Sequence, residues 1–264
     1  MQGQTTNIVP CGKCPVCLKK RANQWSFRLT WELKRSTNHK FITLTYADPY
    51  LVSNINGYPT LRKKHLQDFI KRLRERFRHM GHQQKLKYYG VGEYGTHTNR
   101  PHYHIILFNL PDDLTTTREV LASWTFGQVH FGDVTPASIG YTTGYLSKPK
   151  FQRFGELDDR DKEFSIMSKR LGDNYLKQHN IKYHKENLNT SVRTQQGWIL
   201  DLPRYYKDKI FTKQERIEIS ELSELKRDEI FNKKFKNSNH VKHSQTVGKF
   251  NRYEQQEKRK RTKI

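Results

Sequence analysis

The sequence predicts an α+β fold, with a central antiparallel sheet, flanking helices and a basic helical C-terminal extension. Strand-like and helix-like segments occur in mixed order up to about residue 150, with the helices expected on one face of the sheet. This order favours an antiparallel α+β sheet over a doubly wound one. Two of the strands are separated by a connection short enough to pair them antiparallel. Beyond residue 212 the pattern becomes that of a charged helix followed by a basic tail.

The first predicted elements are a helix, a strand and a second helix. Val16 to Arg35 carries aromatic and aliphatic residues at helical spacing with Lys and Arg between them, which is typical of an amphipathic helix with a basic outer face. Lys40 to Tyr46 is rich in β-branched and aromatic residues, which predicts a strand. Thr60 is a suitable N-cap for a helix that runs to about His79.

Two strands follow, predicted over Lys85 to Tyr94 and His102 to Phe108. The connection between them, Gly95 to Pro101, favours antiparallel pairing because it is short.

The last elements predicted before residue 150 are a helix, a strand and another helix. Thr115 to Trp124 predicts a short helix, and Gly127 to Val134 predicts a strand. Ser138 to Lys148 predicts a helix that Pro149 ends, because proline in a helix interior clashes and lacks a backbone donor.

The charge balance points to a polyanionic partner. The 264 residues include 49 Lys and Arg against 26 Asp and Glu, a net charge of +23. Such an excess raises self-repulsion in the folded state, and nucleic acid is the natural partner to neutralise it. Aromatic residues make up 12% of the chain, which suits a protein that also stacks on bases. Generic basicity, for solubility or ribosome association, is the alternative.

The sequence predicts a soluble intracellular protein. No apolar run approaches the roughly 20 residues that a membrane-spanning helix needs, and the N-terminus lacks the pattern of a signal peptide. The phosphate-binding motif G-x-x-x-x-G-K-[ST] is also absent from this sequence, so we expect no nucleotide-driven motor in it.

All three cysteines lie in one short stretch, at Cys11, Cys14 and Cys17. This spacing does not resemble a disulfide framework, and the rest of the sequence contains no other cysteine to pair with them. Three thiolates can bind zinc, but a closed tetrahedral site needs a fourth ligand, which His39 or a partner chain would have to supply. The alternative is that reduced cysteines pack the start of a helix.

A pair of histidines, His102 and His104, is the first candidate for metal binding. Residues two apart in a strand point to the same face, so their imidazoles should be adjacent while Tyr103 faces the other way. Two neutral imidazoles on one strand can chelate a divalent metal with little reorganisation. Paired surface histidines without a metal are the alternative.

A carboxylate on the neighbouring strand strengthens the metal hypothesis. Glu93 lies near the end of the preceding predicted strand and could complete a set of two histidines and one carboxylate, with positions left open for phosphate oxygens. His97 and Asp48 are weaker alternatives as ligands. Glu93 could also be a solvent-exposed residue in a glycine-rich turn.

Tyr141 and Tyr145 are the candidate nucleophiles. Residues four apart on a helix share a face, and Lys148 falls on that same face. A phenol has a pKa of about 10, and a nearby ammonium group would favour the phenolate or stabilise charge on a phosphate. Two nucleophiles and a cation beside a metal site fit phosphoryl transfer. Core packing is the alternative for two tyrosines at this spacing.

Several blocks of the sequence, taken in order, resemble one family. They are C-G-K-C-P-V-C-L with R-A-N-Q-W-S-F-R-L, F-I-T-L-T-Y, V-G-E-Y-G-T-H-T-N-R-P-H-Y-H, Y-T-T-G-Y-L-S-K, F-S-I-M-S-K-R and L-P-R-Y-Y-K. The chain resembles the HUH superfamily of endonucleases and, within it, the replication initiators of microviruses of the gokushovirus-like branch. The resemblance covers most of the chain, and the order of the blocks is more specific than any single motif.

The resemblance implies rolling-circle replication in the cytoplasm of a bacterial host. A divalent metal, Mg²⁺ or Mn²⁺, would be held by His102 and His104. Tyr141 and Tyr145 would alternate in attacking single-stranded origin DNA, leaving a 5′-phosphotyrosine and a 3′-OH primer and later rejoining the strand. Host helicase and polymerase would be partners, with no membrane involved. The order of the two tyrosines stays open, and Glu93 as third ligand rests on its place beside the histidine strand.

The same resemblance suggests a division of the chain into three regions. Residues 1–150 would form the HUH nicking domain with the cysteine-containing helix at its N-terminus. Residues 151–211 would be an extension packed on that domain. Residues 212–264 would form a charged helical segment and a partly flexible basic tail, with the helical pattern running from Lys213 to Lys236 and the tail from Lys258 to Ile264.

Two other functions are compatible with parts of this pattern. A non-catalytic binder of single-stranded nucleic acid would use an RRM-like sheet, with aromatic residues such as Tyr89, Tyr103 and Phe108 stacking on bases. That hypothesis explains the charge but leaves the histidine and tyrosine pairs as coincidence. An HUH nickase of a plasmid or transposon would share the chemistry and differ in its biology.

Overall fold

The computed structural model describes residues 10–145, 158–194 and 197–234 of the chain. The chain divides into two compact units, with residues 25–175 in one and the segments before 25 and after 175 in the other. Lys148, Pro149 and the basic tail lie outside the described residues. The three-region division with boundaries at 150 and 211 stays a prediction.

The unit of residues 25–175 is built on a five-stranded sheet in the order β4-β1-β3-β2-β5. All neighbouring strands are antiparallel, so the predicted α+β class with a central antiparallel sheet is confirmed. The strands are β1 His39–Thr45, β2 Lys87–Tyr94, β3 Pro101–Phe108, β4 Val129–Gly132 and β5 Phe164–Met167. The first four agree with predicted strands to within a few residues at each end, whereas the sequence pattern predicts no strand at β5.

Helices cover both faces of this sheet, so the expectation of helices on one face only was wrong. The helices are α1 Pro15–Arg35, α2 Lys63–His79, α3 Asp113–Ser123 and α4 Pro136–Gly144. Leu66 of α2 and Val120 of α3 belong to the core on one face, and Leu29 of α1 and Ile139 of α4 to the core on the other. The physical reason lies in β3, where Ile105 and neighbouring residues on both sides of the strand are apolar and fully buried.

Helix α2 begins three residues after the predicted cap. Its N-cap is Arg62, which makes no side-chain capping hydrogen bond. The predicted cap, Thr60, instead accepts a hydrogen bond at Oγ1 from the backbone N–H of Asp161, at 2.9 Å, and lies 3.2 Å from the Tyr94 hydroxyl. Thr60 therefore joins the segment before the helix to β2 and to the segment before β5, a role that depends on contacts far apart in sequence.

A buried carboxylate joins α1, β2 and the loop after β5. Glu32 is fully buried and accepts hydrogen bonds from the Arg35 guanidinium, at 2.8 Å, and from the backbone N–H of Gly172, at 2.7 Å. The ammonium of Lys87 lies 3.0 Å from the same carboxylate. Gly172 has a φ of +71°, the left-handed region in which glycine carries no steric penalty. These contacts hold three parts of the unit together.

The other unit contains short elements and one long helix. Its described elements are α5 Gln178–Glu186, β6 Ser191–Arg193, β7 Ile199–Asp201, α6 Arg204–Ile210 and α7 Lys213–Lys234. Strands β6 and β7 pair antiparallel, and α7 corresponds to the charged helical pattern predicted from Lys213. Within the described ranges, no helix combines the length and the apolar character needed to cross a membrane.

Candidate metal and tyrosine site

The two histidines lie side by side on one face of the sheet, as strand alternation predicts. The rings of His102 and His104 have centroids 4.9 Å apart. Tyr103 points to the opposite face, where it is fully buried and its hydroxyl contacts the hydroxyl of Tyr46 at 2.7 Å. We call the face that carries His102 and His104 the histidine face.

Glu93 completes a compact set of metal-binding groups on the histidine face. It pairs directly with His102 in the β2–β3 ladder. Its Oε1 atom lies 2.7 Å from Nε2 of His102 and 3.1 Å from Nε2 of His104. The three ligand atoms lie within 4.8 Å of one another, and Glu93 is only 4% exposed. Glu93 is therefore part of the site and not a solvent-exposed turn residue.

The second nitrogen of each imidazole is held by a group of the sheet. Nδ1 of His102 lies 3.1 Å from the carbonyl oxygen of Arg100, and Nδ1 of His104 lies 2.9 Å from the hydroxyl of Thr43. A carbonyl oxygen only accepts hydrogen bonds, so Nδ1 of His102 donates, and the neutral ring directs the lone pair of Nε2 towards Glu93. This arrangement of the rings is the one usually found for metal-bound histidines.

The ring of His104 is held between two aromatic rings. Phe41 stacks on it with centroids 5.5 Å apart and an angle of 13°, and Tyr145 stacks on it at 5.7 Å and 11°. His104 is 7% exposed, whereas the side chain of His102 is 19% exposed. The ring of His104 can therefore change its orientation only if its neighbours move.

Helix α4 brings the tyrosine pair to the histidine face. The helix starts with a capping box in which Thr135 and Ser138 each bond the backbone N–H of the other. On its buried side, the hydroxyl of Thr143 lies 2.6 Å from the hydroxyl of Ser26 in α1. The helix begins two residues before the predicted Ser138 and ends at Gly144, four residues before the predicted end, and Tyr145 keeps a helical backbone conformation.

Tyr141 and Tyr145 share one face of this helix and both contact His104. Their ring centroids are 4.9 Å apart, and the ring of Tyr141 lies 5.4 Å from that of His104. Tyr141 is 52% exposed. Burial raises the pKa of the Tyr145 hydroxyl above its ordinary value, and a hydrogen bond with Tyr141 and the charge of Glu93 raise it further. The two phenols are therefore in different environments.

The weaker candidate ligands do not join this set of three. Asp48 forms an ion pair with Arg100, with 2.6 Å between the charged groups. His97 lies in the connection between β2 and β3, and neither residue belongs to the group of ligand atoms found among the described residues. Lys148, predicted on the tyrosine face, lies outside those residues, so its place in the site stays a prediction.

The three cysteines form a second group of possible metal ligands. Cys11, Cys14 and Cys17 bring their sulfur atoms within 4.8 Å of one another. Hydrogen bonds from the backbone of Lys13 and Cys14 lower the pKa of the Cys11 thiol to about 7. All three are free thiols, as their spacing predicts.

Two residues that hold His104 were missed in the sequence. Thr43 pairs directly with His104 in the β1–β3 ladder, and Phe41 lies two residues earlier on the same face of β1. The alternation of F-I-T-L-T-Y already places Phe41 and Thr43 on one face. The pairing register is set by long-range contacts, and for this reason the sequence did not show that this face meets the histidines.

Comparison with known proteins places the site in a characterised context. A family model that describes replication-associated proteins of the ORF2 type matches residues 39–150, which include every residue proposed for the metal and tyrosine site. The chain is 34% identical over 213 residues to the replication-associated protein ORF2 of Spiroplasma virus 4, covering 75% of this chain and 66% of that protein. No solved structure matches the chain.

Two further relatives come from other phages. The replication-associated protein VP4 of Bdellovibrio phage phiMH2K is 30% identical over 222 residues, covering 75% of this chain and 66% of that protein. The replication-associated protein ORF4 of Chlamydia phage 1 is 29% identical over 221 residues, covering 76% and 53%. The chain thus spans at most 66% of the length of these relatives. The resemblance to microvirus replication initiators is confirmed by these matches, and the chain belongs to the replication-associated protein family that includes these phage proteins.

Proposed function

We propose that this protein initiates rolling-circle replication by nicking single-stranded origin DNA through tyrosine attack and later rejoining the strand. The observation that carries the proposal is the contact of both Tyr141 and Tyr145 with His104, whose Nε2 faces Glu93. Two nucleophiles next to a set of metal ligands fit phosphoryl transfer better than a purely structural cluster does. The names of the phage relatives agree with a role in replication.

The donor groups fit a divalent metal, which we propose to be Mn²⁺ or Mg²⁺. In the neutral ring, Nε2 of His102 presents a lone pair to a carboxylate oxygen only 2.7 Å away. Two acceptors at this distance repel each other unless a proton or a cation lies between them. Bound by His102, His104 and Glu93, the metal would supply Lewis acidity towards a phosphate oxygen. The two imidazole nitrogens suit Mn²⁺ better than Mg²⁺, which prefers oxygen ligands.

In the proposed cleavage the phenolic oxygen of one tyrosine attacks the scissile phosphorus. A bond forms between that oxygen and the phosphorus, while the bond from the phosphorus to the 3′ oxygen of the upstream nucleotide breaks. The phenol loses its proton and the leaving 3′ oxygen gains one. The downstream strand is then linked to the protein as a 5′-phosphotyrosine, and the upstream strand ends in a 3′-OH that primes synthesis. Because one phosphate ester replaces another, no nucleotide hydrolysis is needed.

A second tyrosine makes the reverse reaction possible on the regenerated origin. After one round of synthesis the free tyrosine attacks the new origin, and the 3′-OH released in that step attacks the first phosphotyrosine to close the displaced strand. We propose that Tyr141 makes the first cut, because it is 52% exposed whereas Tyr145 stacks on His104. Lys148 is proposed to stabilise charge on the phosphate.

Single-stranded and origin DNA are the proposed substrates, and host helicase and polymerase are the proposed partners. Strand separation and synthesis must accompany this reaction, since cleavage and rejoining alone neither unwind nor copy DNA. We place the reaction in the cytoplasm of the bacterial host.

The structure argues against a non-catalytic binder that stacks bases on its sheet. Tyr89, Tyr103 and Phe108, the aromatic residues such a sheet would present, are all fully buried. Base stacking needs exposed rings, so these three cannot provide it without rearrangement. A plasmid or transposon nickase with the same chemistry remains the second candidate, and the phage origin of the relatives favours phage replication over it.

The test is formation of a covalent adduct. Single-stranded oligonucleotides labelled at the 3′ end and tiled over the genome that encodes this chain are incubated with the protein and Mn²⁺ or Mg²⁺, then separated under denaturing conditions. We expect an adduct with one origin-containing oligonucleotide, at lower concentrations of Mn²⁺ than of Mg²⁺. Its absence with every oligonucleotide and both metals, with tight binding retained, would favour the non-catalytic binder.

Matched variants identify the nucleophiles and the metal ligands. Tyr141→Phe combined with Tyr145→Phe should abolish the adduct, whereas Tyr50→Phe should retain it, because Tyr50 is as exposed as Tyr141 but lies outside the site. His102→Ala should remove metal-dependent cleavage and preserve DNA affinity. An adduct that persists in the double variant would place the nucleophile elsewhere. Loss of binding in His102→Ala without any metal effect would make that histidine structural.

A further inference from the structure

The cysteine cluster, formed by Cys11, Cys14 and Cys17, brings three sulfur atoms together before and within the first turn of α1. The Sγ atoms of Cys11 and Cys17 are 3.9 Å apart, and all three sulfur atoms lie within 4.8 Å of one another. The residues of the histidine face contribute nothing to this cluster, and the reaction proposed above does not use it. Its convergence therefore calls for a separate explanation.

The local backbone explains how the three thiols meet. Gly12 has a φ of +71°, which lets the chain turn back after Cys11. The backbone N–H of Cys14 then donates to Sγ of Cys11 at 3.2 Å. Helix α1 starts at Pro15, a residue suited to the first helical turn, and the N–H of Leu18 bonds the carbonyl of Cys14. Cys14 and Cys17, three residues apart, thus face the same side.

The spacing of the sulfur atoms matches a tetrahedral metal site. A zinc–sulfur bond is about 2.3 Å long, so two thiolates on one tetrahedral zinc ion are about 3.8 Å apart. The 3.9 Å between Cys11 and Cys17 agrees with this edge. A disulfide requires a sulfur–sulfur distance of about 2.0 Å, so the observed distance does not correspond to one.

We propose that Cys11, Cys14 and Cys17 bind one Zn²⁺ ion through three thiolates, with the fourth tetrahedral position open to an exogenous ligand. No fourth His, Cys, Asp or Glu belongs to the cluster in the ranges that the structure describes. Thiolates favour zinc over the hard cations Mg²⁺ and Mn²⁺, which prefer oxygen ligands, so the cluster and the histidine face are expected to select different metals. The proposal does not depend on the nicking activity.

Zinc at this cluster would tie the turn at Gly12 to the start of α1. Because the thiolates belong to residues on both sides of that start, the bound ion would contribute to local folding stability in the manner of small structural zinc sites. The turn would otherwise depend on few contacts, since Cys11 is exposed and no described atom lies within 4 Å of the space next to Gly12.

Cobalt substitution tests the proposal directly. The full chain is reduced, freed of metal and titrated with Co²⁺, and the thiolate-to-cobalt charge-transfer absorption is recorded in the presence of excess Mg²⁺. We expect one equivalent of Co²⁺ to give this band, and one equivalent of Zn²⁺ to remove it. The band should persist in the variant His102→Ala with His104→Ala, because imidazole and carboxylate ligands do not give a thiolate band. It should be absent from the variant with Cys11→Ser, Cys14→Ser and Cys17→Ser.

Single variants grade the contribution of each thiol. Loss of a group that merely orients a metal ligand typically weakens metal affinity about 10- to 100-fold, so loss of a thiolate should weaken Co²⁺ binding by at least about 100-fold. A wild-type chain without a thiolate band would overturn the proposal. So would a band that survives in the triple serine variant, or single variants that bind Co²⁺ as tightly as the wild type.

Alkylation of the unmodified chain gives a readout that does not depend on variant folding. One equivalent of Zn²⁺ should slow the reaction of all three cysteines with iodoacetamide, as followed by mass spectrometry of the intact chain. Mg²⁺ at the same concentration should have no effect. Equal rates with and without Zn²⁺ would contradict the proposal even if the serine variants failed to fold.

Discussion

Single residues decide how His104 is presented to a metal. Its Nδ1 faces the hydroxyl of Thr43, and its ring lies between Phe41 and Tyr145. Alternation along β3 predicts that His102 and His104 share a face, because each side chain direction depends only on the local backbone. The partner of Nδ1 cannot be predicted in this way, since it depends on which residue of β1 stands opposite.

Replacing Thr43 tests this arrangement. Thr43→Val keeps the shape of the side chain and removes the hydroxyl that holds Nδ1 of His104. We expect the affinity for Mn²⁺, measured by calorimetric titration, to fall about 10- to 100-fold, as is typical when the partner of a metal-bound histidine is lost. Thr45→Val is the matched control, because Thr45 lies opposite His102 and its hydroxyl contacts the carbonyl of Gln128, at 3.4 Å. Equal affinities in the two variants would show that the hydroxyl of Thr43 does not orient the ring.

The two tyrosines should differ in their effect on the first cut. Tyr141→Phe should slow the first cleavage about tenfold or more, because the less exposed Tyr145 must then serve as nucleophile. Tyr145→Phe should leave the first cleavage close to wild type and impair rejoining. Both rates can be followed with a labelled oligonucleotide and a second strand that carries a 3′-OH. If Tyr145→Phe slowed the first cut more than Tyr141→Phe, the proposed order would be reversed.

At the scale of elements, periodicity located most helices and strands but not how they meet. The apolar spacing of α2 and the β-branched residues of β1 were sufficient to predict both, since each pattern is local. The start of α2 was misplaced because Thr60 bonds Asp161 and Tyr94, residues far away in the sequence. Strand β5, only four residues long, was missed because so short a segment has little periodicity of its own.

Glu32 is the residue on which contacts between elements depend most. Glu32→Ala removes a fully buried carboxylate that binds Arg35, Lys87 and the N–H of Gly172, and it leaves the ammonium of Lys87 without its closest partner. We expect the free energy of unfolding, measured by urea denaturation, to fall by about 3–5 kcal/mol.

The matched control for Glu32 is an exposed carboxylate in a helix. Glu75→Ala in α2 removes an ion pair with Arg78 in which both side chains are more than half exposed. Because exposed pairs contribute little, this variant should change the free energy of unfolding by at most about 1 kcal/mol. Similar losses in the two variants would mean that burial of Glu32 does not matter to the fold.

At the scale of the whole molecule, the net charge of +23 is the dominant property. We expect the affinity for single-stranded DNA to fall about 100-fold between about 50 and 200 mM salt, if about five phosphates are neutralised. Fluorescence anisotropy with a labelled oligonucleotide would measure this dependence. Deleting Lys258 to Ile264 should make the dependence less steep if the tail contacts DNA. An affinity that does not change with salt would contradict a role of the charge in DNA binding.

The sequence by itself determined the fold class, the shared faces of His102 with His104 and of Tyr141 with Tyr145, and the family. These features follow from local periodicity and from the order of motifs, which are properties of the chain before it folds. Only the tertiary structure decided that helices cover both faces of the sheet, that Thr43 and Phe41 hold His104, and that the helix carrying the tyrosines packs against the histidine face. The physical reason is that strand register and helix packing are set by burial and hydrogen bonding between residues distant in the sequence.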